Sequence, residues 1–132
     1  MKLLIQRRET FCASHRLVNP DLTEAENKEL FKKCATIHGH NYVLNVAVSG
    51  DVDKNTGMII AFEDMKKAIG DVVERFDHTN LNDHEFFLNR PTTVENFAQL
   101  LWDQVESELV GKAILERVEL FETEKNSVIL TR

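Results

Sequence analysis

Along the chain, apolar and polar positions switch between a period of two and a period near 3.6, and the switches mark the elements. From Leu3 to His15 the alternation places Phe11, Ala13 and His15 on one face of an extended strand. Asn19-Pro20-Asp21 breaks that pattern. Thr23, with Glu26 three residues on, has the form of a capping box and opens a short helix towards Cys34. Period two returns from Ile37 to Val48, where His38, His40, Tyr42, Leu44, Val46 and Val48 share a face. Turn chemistry at Ser49-Gly50-Asp51 and Asn55-Thr56-Gly57 frames a return strand through Met58, Ile59 and Ile60, which predicts an antiparallel hairpin.

Phe62, Met65, Ile69, Val72, Val73 and Phe76 recur at helical spacing, so 62–76 reads as an amphipathic helix with Asp77-His78 just beyond its end. Thr92 and Glu95 form a second capping box ahead of Val94, Phe97, Ala98, Leu101, Val105 and Leu109, which predicts a second long helix. The last segment, Leu115 to Leu130, alternates again and carries Val118, Leu120, Glu122 and Glu124 on one face. The coarse order is ββααββ. Strands flanking two consecutive helices predict an α+β fold: a mainly antiparallel four-stranded sheet with both helices on one face.

Composition narrows the class. A length of 132 residues suits one domain spanning 1–132. No apolar run reaches the roughly 18 residues of a membrane span, and the N-terminus lacks the apolar stretch of a secretory signal, so the expected location is cytoplasmic. A net charge of -6 with interspersed signs argues against a nucleic-acid surface. The two cysteines, Cys12 and Cys34, read as reduced thiols rather than a disulfide framework.

Candidate chemistry concentrates in the histidines. His38-Gly39-His40 on a strand sets two imidazoles on one face, about 6.5 to 7 Å apart along the backbone. His15 ends the neighbouring strand and is the best third ligand, because adjacent antiparallel strands would bring it beside the pair. Three histidines without a closing cysteine have the form of a catalytic zinc site with an open position, whereas an H-x-H pair alone is as often a hydrogen-bonded sheet surface. Cys34 is open to three readings: fourth ligand, buried thiol or thiolate base. Cys12, on the opposite strand face from His15, reads as a buried thiol. Asp77 beside His78 suits an oriented acid/base pair, or a turn cap beside an exposed ring. Glu122, on an apparently buried face, needs a partner, either donor groups of a ligand such as a pterin edge or an arginine of a neighbouring chain. The chain has no P-loop, dinucleotide fingerprint or H-E-x-x-H element, which argues against nucleotide hydrolysis and zincin proteolysis.

Six motifs occur in order: Phe11-Cys-Ala-Ser-His15-Arg-Leu17, Cys34-Ala-Thr-Ile-His38-Gly-His40-Asn-Tyr42, Thr56-Gly-Met58, Asp77-His78-Thr-Asn-Leu81, Thr93-Val-Glu95-Asn96 and Glu122-Thr-Glu124. With these the chain resembles the 6-pyruvoyltetrahydropterin and 6-carboxytetrahydropterin synthase family over nearly its whole length. The resemblance implies a tunnelling fold whose sheets join between subunits into a barrel, commonly a hexamer built as a dimer of trimers. It implies zinc held by His15, His38 and His40. It further implies Cys34 as proton acceptor, Asp77 and His78 as a proton-moving pair, and Glu122 as pterin anchor within the relay, with Thr93 and Glu95 near the pterin pocket. The implied substrate is 7,8-dihydroneopterin triphosphate, with Arg16 and Lys33 as candidates for its triphosphate.

The three residues between Cys34 and His38 resemble the carboxy branch, which releases acetaldehyde and triphosphate and feeds synthesis of the queuosine precursor. The insertion from Asn19 to Lys33 looks instead like the pyruvoyl branch. The preferred expectation is a zinc-dependent lyase of the carboxy branch, with the pyruvoyl synthase as alternative. A noncatalytic pterin- or metal-binding oligomer is the alternative of another class.

Overall fold

The structure is a computed structural model describing residues 1–132. Its strands are β1 (Ile5–His15), β2 (His38–Ser49), β3 (Thr79–Asn80), β4 (Ile114–Phe121) and β5 (Ser127–Thr131). Its helices are α1 (Glu24–Phe31), α2 (Phe62–Glu74) and α3 (Val94–Leu109). They form one sheet of order β3-β1-β2-β4-β5, antiparallel throughout except for the parallel β3–β1 pair.

The α+β class and the long helices on one sheet face match expectation, but the sheet has five strands rather than four. The expected return strand at Met58 to Ile60 does not form. Both edges of β2 are already taken, one by β1 and the other by β4. The 53–58 segment closes on itself instead: Asp53 donates its N–H to the Met58 carbonyl at 2.9 Å, Gly57 donates to the Asp53 carbonyl at 2.8 Å, and the Asp53 carboxylate accepts from the backbone of Asn55 and Thr56. Gly57 adopts φ of 72°, which a residue with a Cβ reaches only with strain. The terminal segment likewise divides into β4 and β5, since Thr123 Oγ1 accepts from Lys125 and Asn126 N–H and turns the chain.

The core lies between the sheet and the pair α2 and α3. Phe11, Tyr42, Leu44, Val46, Val118 and Leu120 meet Met65, Ile69, Val72, Phe97, Leu101 and Val105 there, all of them buried. The helical spacing read from the sequence is the spacing that buries these side chains, and each fully buried one contributes on the order of 2 kcal/mol. Thr23 and Glu26 make the expected reciprocal box on α1. The box expected from Thr92 and Glu95 does not form: Thr92 is buried with its hydroxyl on the Arg16 carbonyl, and the cap of α3 passes to Thr93, whose Oγ1 accepts from Asn96 N–H.

Candidate metal centre and active site

The β1–β2 register sets His15 opposite His38 and Ala13 opposite His40, at the end of the sheet. The three imidazole centroids are 4.7, 5.1 and 4.8 Å apart, and one nitrogen of each ring lies within 4.8 Å of the others. Two rings are oriented by backbone carbonyls. His15 Nδ1 faces the Thr92 carbonyl at 2.8 Å and His38 Nδ1 faces the Thr36 carbonyl at 2.7 Å. A carbonyl only accepts, so the proton resides on Nδ1 and each Nε2 keeps a free lone pair.

His40 Nε2 is buried and has no hydrogen-bond partner. An orphaned buried nitrogen between two rings whose lone pairs are free fits a cation and fits little else. Burial, opposed by the Thr92 carbonyl and assisted by His38 and His40, lowers the His15 pKa to about 4. Burial also lowers that of His40, against the pull of Glu122. Neutral imidazole is the ligating form, so the donor set suits zinc.

Glu122 follows the end of β4, with Oε2 3.9 Å from His15 Nε2 and Oε1 3.9 Å from His40 Nε2. Its side chain is a quarter exposed, at 26%, because the strand stops one residue before it. Tyr42 packs beneath this group, stacked on Phe11 at 5.2 Å and edge-on to Phe97 at 5.3 Å, with its hydroxyl buried and unpaired. Burial first, and then Glu122, pushes the Tyr42 phenol well above its usual range, so it remains a proton donor.

Asp77 and His78 lie beside β1, just past α2. His78 takes a left-handed φ of 60° and donates its N–H to the Cys12 carbonyl at 2.7 Å. Cys12 N–H donates to Asp77 Oδ1 at 3.0 Å, and His78 Nδ1 lies 3.0 Å from the same oxygen. That Cys12 N–H, with His78 as a smaller cause, holds the Asp77 carboxyl below the usual range despite some desolvation.

Cys34 sits exposed in the 3₁₀ turn Lys32–Ala35 that follows α1, where its carbonyl accepts from Leu17 N–H at 2.7 Å. Within a single chain it joins neither the three histidines nor the Asp77 and His78 pair. The thiol beside that pair is Cys12. Thr93 caps α3 and Glu95 is exposed in its first turn, and neither hydrogen-bonds to the histidines. Thr92, which sequence reasoning used only as a cap, holds His15 through its carbonyl and Arg16 through its hydroxyl. The tandem threonines before α3 were the one sequence signal, and nothing in them indicates which one turns inward.

Fold and site together define a small tunnelling-fold subunit with a three-histidine cluster at the end of its sheet. Residues 4–132 match the family model described as 6-pyruvoyl tetrahydropterin synthase, and the chain belongs to that family of triphosphate-eliminating lyases. It is 44% identical over 128 residues to a 6-pyruvoyl tetrahydrobiopterin synthase of Drosophila melanogaster, covering 94% of this chain and 76% of that protein. It is 39% identical over 94 residues to a putative 6-carboxy-5,6,7,8-tetrahydropterin synthase of Archaeoglobus fulgidus, covering 70% of this chain and 74% of that protein. The solved 6-pyruvoyl tetrahydropterin synthase of Caenorhabditis elegans superimposes with a TM-score of 0.91 at 37% identity, covering 98% of this chain and 95% of that one.

Proposed function

We propose that the chain is a zinc-dependent enzyme that eliminates triphosphate from 7,8-dihydroneopterin triphosphate and forms 6-pyruvoyltetrahydropterin. The observation that carries this reading is the three-imidazole cluster, with His15 buried and His38 and His40 partly open, and the Glu122 carboxylate 3.9 Å from two of its rings. The long match to the Drosophila synthase supports the pyruvoyl branch. So does the insertion between β1 and β2, which folds as capped α1 and presents Cys34 on the following turn.

His15, His38 and His40 hold the metal, which supplies Lewis acidity towards the side-chain hydroxyls of the substrate. Glu122 accepts hydrogen bonds from the amino and ring N–H groups of the pterin and fixes its orientation. Thr93 and Glu95 border the pterin pocket, and Arg16 with Lys33 supplies positive charge for the triphosphate. Cys34 takes a proton from the side chain, and His78, oriented by Asp77, returns one. The side chain is oxidised as the pterin ring is reduced, so no external oxidant is required. Because one chain keeps Cys34 apart from Asp77 and His78, the complete site forms between subunits, with the pair of one chain reaching Cys34 of its neighbour. The open sheet edges at β3 and β5 suit assembly into a barrel and a hexamer of two trimers. No helix is long and apolar enough to cross a membrane, and the proposed setting is the cytoplasm.

The test is incubation of the zinc-loaded protein with dihydroneopterin triphosphate, followed by product mass and an aldehyde assay. A retained three-carbon side chain with no acetaldehyde supports the proposal. Release of acetaldehyde selects the second reading, 6-carboxytetrahydropterin synthase of the queuosine precursor route, which the three-residue spacer between Cys34 and His38 favours. Absence of turnover with metal bound leaves a noncatalytic pterin- or metal-binding oligomer. Cys34→Ala separates a base from a ligand: activity falls by roughly 100-fold or more with zinc retained in the first case, and zinc is lost in the second.

A further inference from the structure

We propose that Cys12, Asp77 and His78 form a second cation site, for a thiophilic divalent ion, separate from the three-histidine centre. One donor atom from each of the three residues lies within 4.8 Å of the others. Thiol, imidazole and carboxylate together are a donor set that zinc, cobalt and cadmium take and that magnesium and calcium do not.

Three features hold these donors in place before any ion arrives. The Cys12 peptide braces both partners, with its N–H on the Asp77 carboxylate at 3.0 Å and its carbonyl on the His78 N–H at 2.7 Å. His78 is kept in a left-handed conformation that few non-glycine residues adopt, and this aims its ring back over Asp77. A cavity of about 420 Å³, lined by Thr10, Phe11, Cys12, Asn41, Asp77 and His78, holds all three donors, gives access from outside and leaves room for a water as a further ligand. Cys12 points away from the sheet face that carries His15, so the two centres lie on opposite faces of β1.

A cation here binds the carboxylate and imidazole that the proposed reaction uses to move protons, so its occupancy suppresses turnover. This consequence rests on the role proposed above for Asp77 and His78, whereas the binding does not. Excess zinc is then an inhibitor of an enzyme that needs zinc.

The protein loaded with one equivalent of zinc is titrated with cobalt(II). The expected result is about one further cobalt per chain, with thiolate-to-cobalt charge-transfer absorption in the near ultraviolet. Cys12→Ser removes that band and the extra equivalent while keeping the first metal and the basal turnover, since the bracing hydrogen bonds are made by the backbone. Cys34→Ser leaves the band in place. Excess zinc suppresses wild-type turnover roughly tenfold more than that of Cys12→Ser. No extra equivalent, or a band that survives Cys12→Ser, overturns the site. Cobalt bound through Cys12 with turnover unchanged upholds the site and removes Asp77 and His78 from the reaction.

Discussion

His15 and Thr92 are joined by a 2.8 Å hydrogen bond from the ring Nδ1 to the backbone carbonyl, across 77 residues of chain. It ties the end of β1 to the entrance of α3 and turns the His15 lone pair towards His38 and His40. The three proposed metal ligands are thus not equivalent. His15 is also a core residue at 1% exposure, whereas His38 and His40 are partly open.

Replacing the ligands should separate into two behaviours. His38→Ala and His40→Ala lower zinc affinity by more than about 100-fold with little loss of stability. His15→Ala loses zinc equally and also destabilises the metal-free protein by about 2 kcal/mol, because it empties a packed position. Chelator competition and thermal unfolding on the same variants check this, and equal melting temperatures for all three would contradict it.

The metal-free protein should weaken in mild acid. His15 stays neutral in the folded chain down to about pH 4 but protonates near 6.5 when unfolded. Between these values the unfolded state binds more protons, so stability falls as pH falls from about 6.5 to about 4, by about 3 kcal/mol in all. Urea unfolding of chelator-treated protein across this window measures it. His15→Gln, which cannot titrate, flattens the same part of the profile.

Tyr42→Phe should stabilise the protein. The hydroxyl lies buried with no partner, and an unpaired buried hydroxyl costs about 1 to 3 kcal/mol. Removing it leaves the contacts with Phe11 and Phe97 intact, so the melting temperature rises by a few degrees. A fall would show that the hydroxyl has a partner in solution.

Asn27→Ala should loosen the approach to Cys34 without touching the metal centre. The buried Asn27 amide accepts from Asn19 N–H at 2.7 Å and donates to the carbonyls of Asn19, Leu22 and Thr23. Its loss strands these groups at a cost of about 2 kcal/mol, confined to the 19–36 connection. Hydrogen exchange should quicken in α1 and turnover should fall, while zinc content, secured by β1 and β2, stays constant.

The sequence by itself determined the elements whose burial is periodic, the histidine-bearing strands β1 and β2 and helices α2 and α3, together with the Thr23 cap of α1; the cap of α3 fell one residue later than the pattern indicated. It also singled out His15, His38 and His40, because strand alternation and nearest-neighbour pairing place all three on one face. Tertiary structure alone decided which strands pair. Met58 to Ile60 alternate well enough for a strand, yet β4 occupies the β2 edge they would need, and Thr79–Asn80 joins β1 instead. It alone set Cys12 against Asp77 and His78, Thr92 against His15, and Glu122 between two imidazoles. Periodicity reports which side of a segment is shielded from water. It carries no information about which distant backbone N–H or carbonyl completes the hydrogen bonding, and in this protein such bonds, spanning 65 and 77 residues, assemble both candidate cation sites.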